Sequence, residues 1–96
     1  MPKTAFGWDP DKDNVNRRKH GIPFSFARRA FWDQRRVIAR DLTHSDKEER
    51  YFCFGEIERE VVTVRFAYRG HTIRIIGAGY WRKGKTAYEK ENKIHG

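Results

Sequence analysis

The first third of the chain has the pattern of apolar and polar residues that helices produce. Asp9 can accept hydrogen bonds from the free amides at a helix start, and Pro10 suits the first helical position. Basic residues then precede Gly21, which can adopt the left-handed conformation that ends a helix. The first helix is therefore predicted to run from Pro10 to about His20.

Two further helices are predicted. One follows Pro23, where Ser25 can cap the free amides. Its apolar residues recur at helical spacing and are predicted to face the core: Phe26, Ala27, Ala30 and Phe31. The other is a basic helix at residues 83–92, in which Gly84 weakens the beginning.

The rest of the chain has the residue types and alternation of β-strands. Strands are predicted at residues 36–41, 50–57, 60–68 and 72–78, with a short strand at 4–8. The capping-box spacing of residues 45–48 predicts one helical turn between strands. Together these elements predict a single α+β domain over residues 1–96. It has two N-terminal helices, a four- to five-stranded, mostly antiparallel sheet and a C-terminal helix.

The last two strands form a predicted hairpin. Pairing Tyr68 with His71 around a two-residue turn places apolar residues of both strands on one face. In that register Arg65 and Arg74 lie directly opposite each other on the other face, and a bound anion would relieve their repulsion. Alternatively, the two guanidiniums extend into water or pair with acids of a neighbouring strand, such as Glu48, Glu49 or Glu56.

The charge of the chain indicates its partner. The net charge is +8, the isoelectric point is about 10, and residues 61–88 contain no Asp or Glu. Six cations lie in that stretch: Arg65, Arg69, Arg74, Arg82, Lys83 and Lys85. This pattern favours nucleic acid or an acidic protein as partner, although a solvated basic edge has the same composition. With no long apolar run and no signal peptide, a cytoplasmic protein without a membrane partner is expected.

The sequence contains no recognisable metal-ligand set or nucleotide-binding loop. Its four histidines lack metal-binding spacing: His20, His44, His71 and His95. The segment from Gly77 to Gly79 lacks the third glycine of a dinucleotide-binding loop. No metal or organic cofactor is expected, and Cys53, the one cysteine, is interpreted as a small buried hydrophobic residue.

Short motifs follow one another along almost the whole chain in a recognisable order. They are Trp8-Asp9, Lys12, Asn16, Lys19-His20-Gly21, Phe24, Ala27, Phe31, Asp41, His44-Ser45, Glu48-Glu49-Arg50, Gly55 and Arg74-Ile75-Ile76. In this order they resemble the BrnT family of bacterial toxins. The resemblance implies a RelE-like fold and a ribonuclease activity that blocks translation. It also implies neutralisation by a ribbon-helix-helix antitoxin, BrnA, in a heterotetramer that contacts DNA only through the antitoxin complex.

Metal-free RNA cleavage needs a base for the 2′-hydroxyl, cations for the charge on the phosphorane, and an acid for the leaving 5′-oxygen. Guanidinium suits the cationic role because it grips phosphate bidentately and stays charged. Three arginines are candidates for it: Arg65, Arg69 and Arg74. The candidate acids and bases are His20, Tyr80, Lys19 and His71.

RNA binding is predicted for one aromatic residue and four cations: Trp8, Lys19, Arg82, Lys83 and Lys85. Each candidate also has a structural interpretation. His20 and Lys19 can contact a helix end, His71 can be an exposed turn residue, and Tyr80 can anchor the last strand. Trp8 can stack on a base but can equally belong to the core.

The chain departs from the family pattern at the end of the last strand. Family members usually have a basic residue where this chain has Gly79, and a Glu of the final helix is replaced by Lys85. If position 79 supplies catalytic charge, activity depends on Arg82 or Lys83, or is lost. The alternative function is therefore a non-catalytic module that binds nucleic acid or an acidic protein through the same basic surface.

Overall fold

The computed structural model describes residues 4–43 and 47–93. The elements in chain order are β1 Ala5–Trp8, α1 Pro10–His20, α2 Phe24–Ala27, a 3₁₀ segment Arg28–Trp32, β2 Val37–Asp41, β3 Arg50–Ile57, β4 Glu60–Arg69, β5 Thr72–Gly79 and α3 Arg82–Glu91. Within this part of the chain, the strands form one five-stranded sheet in the order β1-β5-β4-β3-β2. β1 is parallel to β5 and the other neighbours are antiparallel. The predicted α+β class, mostly antiparallel sheet and C-terminal helix are confirmed.

α1 begins and ends where its local chemistry predicts. Oδ1 of Asp9 accepts a hydrogen bond of 2.8 Å from the amide two residues on, and Gly21 ends the helix with a φ of 70°. The buried residue of this helix is Asn16. Its Oδ1 accepts from the amide of Ala78 at 3.1 Å, and its Nδ2 donates to the carbonyl of Ile22 at 2.9 Å. Asn16 thus ties α1 to the part of β5 that extends beyond β1.

The predicted second helix is divided in two, because α2 has only four residues and the 3₁₀ segment follows it directly. The number of N-terminal helical elements therefore differs from the prediction. The expected cap at Ser25 is also wrong. α2 begins at Phe24, whose amide donates to Oδ1 of Asp13 in α1 at 2.8 Å, so a local cap is not needed. The apolar face is confirmed, since its four residues are buried or pack against the core: Phe26, Ala27, Ala30 and Phe31.

The sheet packs on both faces. On the core face, α2 and the 3₁₀ segment cover a buried apolar cluster that includes Cys53, Val62, Val64, Phe66, Ile73 and Ile75. Gly55 permits this contact, because a Cβ there would lie 2.2 Å from the carbonyl oxygen of Ala30. On the opposite face, α3 approaches so closely that a Cβ at Gly84 would lie 1.9 Å from Oγ1 of Thr63. Gly84 weakens helix propensity but is required by this packing.

The predicted turn between β4 and β5 is displaced. Arg69 pairs with Thr72, whereas the prediction paired Tyr68 with His71. Gly70 has a φ of 60° and lies at the first of the two central positions, as in a type II′ turn, whereas the prediction placed it second. The register is therefore wrong by two residues beside the turn.

A bulge moves the hairpin register further from the prediction. Ile76 is the extra residue of β5, and beyond it Arg65 faces Gly77. Arg74 faces Ala67, so the two arginines are not directly opposite each other. They still lie on the same face of the sheet, displaced by two residue pairs along β4, because side chains alternate between faces.

Residues 44–46 lie outside the described residues, so the turn predicted at residues 45–48 is not described. No helix within residues 4–43 and 47–93 has the length and apolar character needed to cross a membrane.

Candidate active site

A cleft of about 410 Å³ opens where α1 flanks the end of β5. α1 forms one wall, the bulged part of β5 forms the floor, and Trp81, which precedes α3, forms another wall. The ionisable side chains that line it are mostly basic: Asp11, Lys12, Lys19, His20 and Arg65. We call this site the Arg65 cleft.

A buried carboxylate holds Arg65. Nε of Arg65 lies 3.5 Å from Oδ2 of Asp41, whose side chain is 2% exposed, whereas that of Arg65 is 33% exposed. Oδ1 of Asp41 accepts hydrogen bonds from the amide and the hydroxyl of Thr43, at 3.1 and 2.8 Å. The guanidinium of Arg65 also lies 5.9 Å from the centre of the Phe52 ring. Both contacts lie toward β3 and β2, and Nε itself is buried without a hydrogen-bond partner among the described residues.

His20 lies at the end of α1 against Trp81. The two rings are 5.2 Å apart at 73°, an edge-to-face contact. The indole also rests on Gly79, because a Cβ at that position would lie 2.6 to 2.9 Å from three indole atoms. The indole therefore fills the space at the position where the family pattern has a basic residue, and any side chain there would have to displace it.

The cleft brings together some of the predicted residues. Three of them line it: Lys19, His20 and Arg65. Arg74 lies on the same face of the sheet but does not face Arg65. Arg69 lies at the hairpin end and pairs with Glu48 at 3.4 Å.

Tyr80 lies in a second cleft of about 540 Å³, which we call the Tyr80 cleft. Its lining mixes acids and cations: Glu56, Glu60, Glu89, Arg59, Arg82 and Lys85. Burial, together with the charges of nearby glutamates, raises the pKa of Tyr80 above its usual value. Tyr80, Arg82 and Lys85 therefore share a site that differs from the one lined by His20 and Arg65.

Two predicted RNA-binding residues line neither cleft. Lys83 is exposed on α3. Trp8 is partly buried against the core, with its ring 6.2 Å from that of Phe24. Trp8 therefore packs against the core, which was the structural alternative to base stacking for this residue.

Comparison with known families agrees with the motif order. A family model for the ribonuclease toxin BrnT of type II toxin–antitoxin systems matches residues 8–84. The chain belongs to the BrnT family. A toxin of this family implies an RNA substrate and an antitoxin partner. A search of the curated proteins gives no significant match.

Sequence reasoning missed one residue that lines the Arg65 cleft, Trp81, and one that pairs with Arg65 beside it, Asp41. Asp41 belongs to the family motifs, but nothing in the sequence places it beside Arg65, because the two lie on strands separated by β3. Trp81 had a weak signal. Gly77 and Gly79 leave one side of β5 without side chains, and a large aromatic residue follows two positions later.

A polar network beside the Tyr80 cleft of this BrnT chain anchors α3. Oδ2 of Asp33 accepts from the hydroxyl of Tyr88 at 2.6 Å and from the amide of Glu56 at 2.8 Å, and Oδ1 accepts from the amide of Arg35 at 2.9 Å. Burial opposes ionisation of Asp33, but these hydrogen bonds outweigh it and lower the pKa below 3.8. Burial and the bond to Asp33 raise the pKa of Tyr88. The network joins α3 to β3 and to the loop before β2.

Cys53 is confirmed as a buried residue of the BrnT core. Burial raises the pKa of its thiol to about 12, which keeps it protonated and unreactive at neutral pH. Within residues 4–43 and 47–93, no three His, Cys, Asp or Glu side chains are grouped as metal ligands would be.

Proposed function

We propose that this BrnT-family protein is a metal-independent endoribonuclease and that the Arg65 cleft is its catalytic centre. The observation that carries the proposal is the contact between Arg65 and the buried Asp41. It places an ion pair beside a basic cleft that Arg65 lines together with His20 and Lys19. A cation held in place in this way stabilises charge developing on a phosphate without reorganising during the reaction.

The proposed reaction uses the 2′-hydroxyl of the substrate as nucleophile. His20 takes the hydroxyl proton, the 2′-oxygen forms a bond to phosphorus, and Arg65 stabilises the negative charge of the phosphorane. The bond from phosphorus to the 5′-oxygen then breaks, and Lys19, which lines the same cleft, protonates the leaving oxygen. The products are a 2′,3′-cyclic phosphate and a 5′-hydroxyl. Arg74, on the same sheet face, binds a flanking phosphate.

We extend the proposal to the finer properties that BrnT membership suggests. The chain is a single RelE-like domain over residues 1–96 that acts in the cytoplasm and inhibits translation. Its partner is a BrnA-like ribbon-helix-helix antitoxin in a heterotetramer, through which alone it contacts DNA. The family match and the net charge of +8 support this proposal.

Purified protein tests the chemistry directly. It should cleave single-stranded RNA in the presence of EDTA, leave 2′,3′-cyclic phosphate or 3′-phosphate ends, and spare the same sequence with 2′-deoxyribose. A strict requirement for magnesium or zinc, or cleavage of the deoxy substrate, would refute the mechanism. In cells, induction of the chain alone should arrest growth, and the neighbouring antitoxin should restore it.

One observation favours a second function. The indole of Trp81 fills the space at Gly79, where the family pattern has a basic residue. A protein that has lost this charge can still bind RNA or an antitoxin without cleaving. Such a binding module would still bind RNA and antitoxin. It would show no cleavage at any metal or EDTA concentration and would leave growth unaffected.

A further inference from the structure

Trp81 has a position in the Arg65 cleft that the proposed chemistry does not use. It is 39% exposed, yet its indole packs against Gly79 and contacts the ring of His20. An aromatic ring that is fixed in place and open to solvent has already lost most of its rotational freedom. Binding a flat ligand on it therefore carries little further entropic cost.

The surroundings of Trp81 favour a ligand that combines flat rings with negative charge. Lys12, Lys19, His20 and Arg65 line the same cleft, with Asp11 as the one acid in that lining. Phosphates of a nucleic acid strand can reach the cations while a base lies against the indole. A base paired in a duplex cannot, because its faces are covered by its neighbours.

We infer that Trp81 is a stacking platform for an unpaired base of RNA beside the phosphate that Arg65 binds. This inference rests on the proposed function, because it deepens the substrate class of the same cleft to single-stranded RNA with a base splayed onto the indole. Gly79 takes part in the site by leaving room for the ring. The loss of a side chain at position 79 thus exchanges a charge for an aromatic surface.

Binding of short oligonucleotides that cannot be cleaved tests the platform without relying on catalysis. The probes are 2′-O-methyl trinucleotides with terminal phosphates and matched trinucleotides that lack bases. Native protein should bind the base-containing probe about 5- to 100-fold more tightly than the abasic probe, the range expected for stacking of one base. Equal affinity for the two probes would overturn the inference.

Variants test whether Trp81 is the residue responsible for the preference for base-containing probes. Trp81→Ala should bring the two affinities to within about twofold, and Trp81→Phe should retain part of the difference. Gly79→Ala should have the effect of Trp81→Ala, because the new Cβ displaces the indole. The matched control is Trp32→Ala, which removes an indole that is 62% exposed but lies outside the Arg65 cleft, and it should leave the difference unchanged.

The outcomes separate this inference from the proposed function. A preference for base-containing probes that persists in both Trp81→Ala and Gly79→Ala places stacking elsewhere and refutes the platform, even if RNA is cleaved. A preference that disappears in these variants supports the platform, even if the native protein cleaves nothing. Should Trp81→Ala fail to fold by circular dichroism, Gly79→Ala and Trp81→Phe still decide the matter.

Discussion

Trp81 lines both the Arg65 cleft and the Tyr80 cleft, but the two clefts differ in the position of their acidic side chains. Beside the first, the acid that pairs with Arg65 is buried, so the cleft surface stays mostly basic. In the second, glutamates share the surface with the cations and offset their charge. The difference teaches that a count of cations along the chain does not separate the two clefts, whereas the position of the acids does.

The largest expected effect comes from Arg65→Lys, which keeps the charge but removes the bidentate fork. Cleavage should fall by about 100- to 1000-fold, with little change in RNA affinity, because a fixed donor to the phosphorane is lost. The matched control is Arg82→Lys in the Tyr80 cleft, which should leave cleavage within about twofold of the native rate. Single-turnover cleavage rates measure both. Equal losses in the two variants would mean that the catalytic centre spans both clefts.

A smaller loss is expected for Asp41→Asn, which removes the charge that orients Arg65. Cleavage should fall by about 10- to 100-fold with RNA affinity retained, since the cation is still present but no longer held in one direction. The thermal midpoint should also fall, because a buried contact is weakened. Glu60→Gln, an acid of the Tyr80 cleft, is the control. A cleavage rate in Asp41→Asn equal to that of the native protein would show that the orientation of Arg65 is set by other contacts.

Tyr88→Phe tests whether the Tyr80 cleft is structural. Loss of the hydrogen bond to Asp33 should lower the free energy of unfolding by about 1.5 to 3 kcal/mol and leave the cleavage rate of folded protein unchanged. The pH dependence has a defined sign. The pKa of Asp33 is lowered on folding, so its contribution to stability is present above about pH 4 and is lost as the pH falls through the folded-state value.

Urea unfolding of native and Tyr88→Phe protein across the acid range checks this sign. The stability difference between the two should be largest near neutral pH and shrink below about pH 4. A difference that grows on acidification would show that the hydroxyl of Tyr88 acts through a group other than Asp33.

The smallest effects concern single phosphate contacts. Lys12→Ala in the Arg65 cleft should weaken RNA binding by a few-fold and reduce the slope of log affinity against log salt by about 0.7, the value for one contact to a single strand. Lys85→Ala in the Tyr80 cleft should change the slope less. Equal changes would extend the RNA path over α3, as the sequence predicted for Lys85.

The parts of the fold that depend on neighbouring residues could be predicted from the sequence. The limits of α1 follow from Asp9, Pro10 and Gly21, and the limits of β3 follow from its residue types. The hairpin register could not be predicted with the same success. The glycine of the turn suits either central position, and the bulge at Ile76 lies where β5 leaves β1 and meets Asn16 of α1.

The candidate site was predictable only in part, because some of its contacts join residues that are distant in the sequence. Arg65, His20 and Lys19 carry chemistry that the sequence displays, and they lie in one cleft. The role of Asp41 could not be predicted, because it arises from a contact across β3 between residues distant in the chain. The packing of the Trp81 indole against Gly79 could not be predicted from the spacing of the two residues either.

The hydrogen bond from Ala78 to Asn16 joins positions 62 residues apart, and it has a consequence for synthesis on the ribosome. α1 emerges early, whereas the floor and the indole wall of the Arg65 cleft come from residues 76–81. Contacts of such long range form only after both partners have left the exit tunnel. A nascent chain therefore has no assembled cleft until residues 76–81 have left the ribosome and can reach α1.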